Sequence, residues 1–158
     1  GSEMCIRDSS MYTFWKRTSP PPSMTTFDAP DRETCQVRRA RTNTPLQALV
    51  LMNDVQFIEA ARKFAERILR NGGESDEQRL VYAFRSIVGR RPSTEELEKL
   101  LVFQADYRQQ FGQDETAVTQ FLSAGESPRD ESLDASDLAA WSMLAHLLMN
   151  LSETITKG

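Results

Sequence analysis

Ser75-Asp76-Glu77-Gln78-Arg79-Leu80-Val81-Tyr82-Ala83-Phe84-Arg85-Ser86-Ile87-Val88-Gly89, with Arg90-Arg91-Pro92 and Ser93-Thr94-Glu95-Glu96-Leu97 behind it, is the stretch that decides the fold. Ser75 with Gln78, and Ser93 with Glu96, have the spacing of a capping box, in which a hydroxyl takes the N3 amide and the N3 side chain reaches back. After the first box Leu80, Val81, Phe84, Ile87 and Val88 recur at helical spacing, and Gly89 supplies the stop. After the second, Leu97, Leu100, Leu101, Phe103, Ala105 and Tyr107 form the inward set of a helix running to about Phe111, where Gly112 ends it. Start, stripe, stop and start again describe two helices joined by a short turn.

The same punctuation extends in both directions. Thr44 is an N-cap and Pro45 the first helical residue, where its missing N–H costs nothing; Leu46, Leu49 and Val50 then form a stripe that ends near Asn53. Asp54 caps a second helix with Phe57, Ile58, Ala61, Phe64, Ala65, Ile68 and Leu69 on one face, closed by Asn71-Gly72-Gly73. Asp114 caps a short helix with Ala117, Val118, Phe121 and Leu122. After a polar loop, a last helix from about Ala135 to Asn150 carries Leu138, Trp141, Leu144, Ala145 and Leu148 on one stripe. No alternating run calls for a sheet, and there is no repeat at a solenoid period. The expected fold is all-α, a bundle of about five or six helices over residues 45–158.

An extended arm precedes this bundle. Residues 10–44 carry prolines at 20, 21, 22 and 30 and many Ser, Thr and Asp, which predicts ordered irregular chain with one short strand near Tyr12 to Trp15. Tyr12, Phe14, Trp15 and Phe27 hold too much apolar area for a solvated linker, so something must cover them. Lys16, Arg17, Arg32, Arg38, Arg39 and Arg41 against Asp28, Asp31 and Glu33 give the arm +3, whereas residues from Pro45 onward carry −6. The arm is therefore read either as lying across its own acidic domain or as an interaction surface, with Tyr12, Phe14, Trp15, Lys16, Arg17, Phe27, Arg32 and Arg41 making the contacts. Gly1 to Ser9 match, residue for residue, one translation frame of the tail of a transposase-tagging sequencing adapter. They are read as an adapter artefact and set apart from the fold, and residues 10–158 as the C-terminal fragment of a larger protein.

Composition excludes several functions. The 158 residues carry a net charge of −4 and no apolar run of the ~18 residues that a membrane helix needs. That balance argues against nucleic acid, which demands a concentrated positive surface. One histidine and two cysteines, of which Cys5 falls in the adapter-like stretch, cannot make a zinc site, a disulfide within the native part or a CxxCH haem attachment. Cys35 reads as a small buried hydrophobe, and His146 as a core or rim residue. Glu95, Glu96 and Glu98 suit the positive end of a helix better than a metal. Asn150-Leu151-Ser152 fits a glycosylation acceptor, a pattern common by chance. The remaining candidates for chemistry are Asp28, Asp31 and Glu33 with Arg38 or Arg39, beside aromatics that could stack on sugar.

Phe27-Asp28-Ala29-Pro30-Asp31-Arg32-Glu33-Thr34-Cys35, with Val37-Arg38-Arg39 and Arg41-Thr42-Asn43-Thr44-Pro45-Leu46-Gln47-Ala48-Leu49 through Asn53-Asp54, resembles the planctomycete PSD domain, a domain of unknown function. Tyr12-Thr13-Phe14-Trp15-Lys16-Arg17, Gly89-Arg90-Arg91-Pro92, Gly125-Glu126-Ser127-Pro128 and Leu148 to Thr154 look like further motifs of that family, so the resemblance runs from Ser10 to Gly158. Val55 departs from it where the family often has proline, and Ser152 replaces a frequent acid. The resemblance implies the C-terminal domain of a large exported protein that also carries a cytochrome-c-like domain. Haem c would then belong to a preceding domain, and no cofactor is carried over to this chain. Two functions follow as expectations: a non-catalytic helical domain docked on preceding domains of the same polypeptide, or part of an active site acting on polysaccharide through the acidic and arginine-rich arm.

Overall fold

The computed structural model describes residues 22–29, 42 and 44–155. The helices are α1 Pro22–Thr26, α2 Pro45–Asn53, α3 Val55–Asn71, α4 Asp76–Val88, α5 Thr94–Gln113, α6 Glu115–Leu122, α7 Ala135–Met149 and α8 Ser152–Ile155, with no strand among the described residues. The chain divides into two compact units, Gly1–Gln47 and Ala48–Gly158.

Every helix start in the second unit from α3 to α7 is closed as its sequence dictates. Asp54 accepts from the Gln56 amide, Ser75 from Gln78, Ser93 from Glu96, Asp114 from Ala117 and Asp134 from Asp137. The box at Ser93 is complete, because the Glu96 carboxylate returns to the Ser93 N–H at 2.7 Å. The one at Ser75 is half a box: Gln78 Oε1 takes the Glu74 amide at 3.1 Å instead of that of Ser75. Gly89 closes α4 at φ 87°, a left-handed conformation costly to any residue with a Cβ.

The core is organised around α7, which packs against α3, α4, α5 and α6. Leu138, Trp141, Leu144, Ala145 and Leu148 are buried as the stripe predicted, but so are Ala139, Ala140 and Ser142. The helix is thus enclosed on all sides, and its alanines permit the close approach that such packing needs. Ala61, Ala65 and Ile68 of α3, Leu80 and Phe84 of α4, Leu100 of α5 and Val118 and Leu122 of α6 complete the cluster. Phe111 and Phe121 pack at 5.9 Å between ring centroids.

Several expectations are corrected. Gly112 does not stop α5; the helix runs through it to Gln113, and Asp114 ends it by turning the backbone to begin α6. Phe103 and Ala105 face outward, Phe103 at 44% exposure, while Gln104 is buried in their stead. In α2 two of the three predicted stripe residues face outward, while Val50 is half-buried. Leu46 and Leu49 are each 56% exposed, and Gln47 and Leu51 face inward. In the arm, α1 occupies residues read as irregular chain, its first position being Pro22, whose fixed φ suits a helix start. The strand expected near Tyr12 to Trp15 lies outside the described residues, and α8 adds one turn beyond the last helix predicted.

Candidate functional site

Of the arm's candidate residues, Asp28 and Phe27 are described. Tyr12, Phe14, Trp15, Lys16, Arg17, Asp31, Arg32, Glu33, Cys35, Arg38, Arg39 and Arg41 lie outside the described residues. Asp28 sits at φ 57° and its carboxylate accepts from the Thr42 amide at 2.7 Å and from Thr42 Oγ1 at 2.8 and 2.9 Å. Gln47, 1% exposed, donates from Nε2 to the Thr26 carbonyl at 2.8 Å and to Thr42 Oγ1 at 3.1 Å, approaching Asp28 Oδ2 at 3.5 Å. Thr44 and Gln47 also exchange bonds as a capping box of their own, at 3.1 and 3.3 Å. The Thr42 amide, then its hydroxyl, hold the Asp28 carboxyl below its ordinary pKa. A carboxylate so fully engaged acts as a clasp on the chain at Thr42, and the direction of its shift is opposite to that of a general acid.

Helix α3 presents a second polar set that nothing local in the sequence announces. Its Glu59, Arg62, Lys63, Glu66 and Arg70 grip the loop between Leu122 and Asp130. Glu59 takes the backbone amides of Glu126 and Ser127, each at 3.0 Å, and the Ser127 hydroxyl. Arg62, 3% exposed, donates to the carbonyls of Leu122 at 2.8 Å and Ser127 at 2.6 Å. Lys63 reaches the Pro128 carbonyl at 2.6 Å and Glu66 at 3.0 Å; Glu66 in turn takes the Asp130 amide at 3.2 Å, and Arg70 pairs with Asp130. The Ser127 hydroxyl above all, with both amides and the nearby Arg62, keeps the Glu59 carboxyl ionised below its usual range against its burial. Gly125-Glu126-Ser127-Pro128 is therefore a loop cast against a charged helix face. Gly125 is at φ 92°, and a Cβ there would run into the Glu59 side chain.

Gly89-Arg90-Arg91-Pro92 has a similar explanation. Arg90 forms paired hydrogen bonds to Glu96 at 2.7 and 2.8 Å and to Glu153 at 2.8 Å, and its guanidinium lies 4.9 Å from the Phe84 ring centroid. One side chain joins the α4–α5 turn to α8. The Arg90 bonds and the Ser93 amide bring Glu96 down to about 2. Glu96, one of the three acids at the start of α5, is thus spent on this staple, and among the described residues no three His, Cys, Asp or Glu gather as a metal group. Asn150 donates its amide to the His146 carbonyl at 2.8 Å, which engages the nitrogen that glycosylation would require. His146 Nε2 bonds the Leu51 carbonyl at 2.9 Å, tying α7 to α2.

An apolar face is also left exposed. On the outward side of α2 Leu49 and Met52 are each 56% exposed, and Val55 at the start of α3 is 52% exposed; Leu46, in the first unit, equals Leu49 and Met52. Leu49 and Met52 are neighbours one turn apart. Sequence periodicity missed this face because α2 is apolar on both sides, leaving no contrast to orient it.

These features define a small all-α domain in which several charged side chains form internal staples and one helix face is apolar and exposed. The chain belongs to the PSD1 family, described as a protein of unknown function (DUF1553), whose sequence profile matches residues 3–104, well over half of its length. No curated protein and no solved structure matches it.

Proposed function

We propose that this chain is a non-catalytic helical interaction domain of an exported, multidomain, cytochrome-c-associated protein, docked through the outward face of α2 onto a preceding domain of the same polypeptide. The exposure of Leu49, Met52 and Val55 carries the reading. Single exposed apolar residues are ordinary on any surface, but a helix with large apolar residues on both sides gains stability when both sides are covered. Leu51 and Gln47 use one side; the other is free to take a partner. The commitment of Asp28 to Thr42, of Glu59 and Arg62 to the 122–127 segment, and of Arg90 to Glu96 and Glu153 favours a structural role over a catalytic one. Any haem c would sit in the partner domain, with no ligand from this chain.

The test is site-specific photocrosslinking in the polypeptide expressed from its whole gene. A benzoylphenylalanine at position 49 or 52 is expected to crosslink to a segment outside residues 10–158. Crosslinks confined to the helical domain, or none, would overturn the proposal.

A further inference from the structure

A second surface, independent of α2, is a groove of about 750 Å³ between α4 and the start of α5. It runs along α4 from Glu77 to Gly89, ~18 Å at the helical rise, so it is elongated rather than round. Val81, Tyr82 and Leu97 supply an apolar floor, and Arg85 and Arg91 stand at the end nearer Gly89. Arg67, from α3, donates to the Tyr82 hydroxyl at 3.3 Å, which sets a third guanidinium beside a residue of the groove floor.

The pairing of the arginines is what distinguishes this groove. Among the described residues, Arg70, Arg79, Arg90 and Arg108 each have an acidic partner within ion-pair distance, and Arg62 is spent on carbonyls. Arg67, Arg85, Arg91 and Arg129 have no acidic partner there; two of these four line one groove and a third, Arg67, touches the hydroxyl of its Tyr82, in a chain of net charge −4. At the start of α5 the Glu96 amide is already taken by Ser93, and the Ser93 amide by Glu96, so the anion-binding capacity of the groove rests on guanidinium forks.

We propose that this groove binds an acidic peptide segment with an apolar anchor: leucine-like side chains on Val81 and Leu97, carboxylates on Arg85 and Arg91. Its length suits an extended stretch of about five residues at ~3.3 Å each. Tyr and Arg around an apolar floor are the composition of protein-binding hot spots, and clustered arginines are a recurring way to hold acidic motifs. A long polyanion such as RNA is disfavoured, because the acidic surface beyond the groove repels it. Glu77 at the opposite end gives the site a direction, with the acidic end of the peptide toward Arg85 and Arg91.

Fluorescence anisotropy with a labelled hexapeptide of two leucines followed by four glutamates, and with its lysine counterpart, tests this on the chain as it stands. The acidic peptide is expected to bind and the basic one not. Arg85→Glu and Arg91→Glu should each weaken binding about tenfold, with circular dichroism confirming an intact fold. Arg129→Glu makes the same charge change outside the groove and should leave affinity nearly unaltered. Equal binding of both peptides, binding of neither, or an equal loss with Arg129→Glu would each overturn the assignment.

Discussion

Helices α2 and α7 are both rich in apolar residues on every side, with only a few polar ones among them, yet they meet opposite fates. Four helices enclose α7, so that eight of its fifteen residues, Trp141 included, are buried. In α2 Gln47 and Leu51 are covered while Leu49 and Met52 stand 56% exposed. Apolarity therefore states that a helix must be covered, and topology decides whether its own chain does the covering. The partner of α7 is supplied internally; that of α2 is not supplied by the described residues.

The sharpest way to break this comparison is to truncate a matched pair of side chains. Trp141→Ala removes the largest fully buried side chain and should cost about 3–5 kcal/mol, whereas Leu49→Ala should change stability by less than ~0.5 kcal/mol. Urea unfolding of the two variants reads both numbers, and a comparable loss at Leu49 would mean that its face is covered after all. Next in size is the polar cover of α3. Arg62→Met leaves the Leu122 and Ser127 carbonyls without their donor and should cost about 2–3 kcal/mol, measured in the same way. Gly125→Ala should cost about 2 kcal/mol, from left-handed strain and collision with Glu59; a neutral result would show that the loop is not cast against α3.

The fourth prediction has the opposite sign. Gln104 is buried with both amide atoms lacking a partner among the described residues, so Gln104→Leu should raise stability by about 1 kcal/mol in thermal melts. The smallest effect concerns pH. Glu96 has a folded-state pKa of about 2, below its unfolded value, so its contribution is present above the ordinary carboxylate range and is lost as pH falls toward 2. Asp28, Glu59 and Glu153 are shifted in the same direction and add to the same acid limb. Because Glu96 and Arg90 are solvent-exposed, Glu96→Gln should flatten this limb only slightly, and a steeper limb would contradict the downward shift of the Glu96 carboxyl.

Much of the fold was legible because capping is local. Asp54, Ser75, Ser93 and Asp114 announce their helices within four residues, and each is found at the start of its helix; the Asp134 cap of α7 was not read from the sequence. Gly112 misled because glycine permits a stop without imposing one; the break came from Asp114, which serves the end of α5 and the start of α6. The orientation of α2 was not legible. A helix without amphipathic contrast is turned by its polar partners, here Gln47 toward Thr26 and Thr42, and those contacts span up to 21 residues. The grip of Glu59 and Arg62 on the 122–130 loop was equally hidden, since its partners lie 60 or more residues away. The motifs Gly89-Arg90-Arg91-Pro92 and Gly125-Glu126-Ser127-Pro128 were the available signals. They mark the turn that carries the Arg90 staple and the loop that α3 holds.

The most direct measurement is sedimentation of the chain with and without Leu49→Glu and Met52→Glu, alongside titration with the hydrophobic dye ANS. An uncovered α2 face predicts that the wild-type chain self-associates or binds ANS, and that the double variant is monomeric and ANS-silent with an unchanged melting temperature. A wild-type chain that is already monomeric and ANS-silent, or a double variant that unfolds, would contradict it.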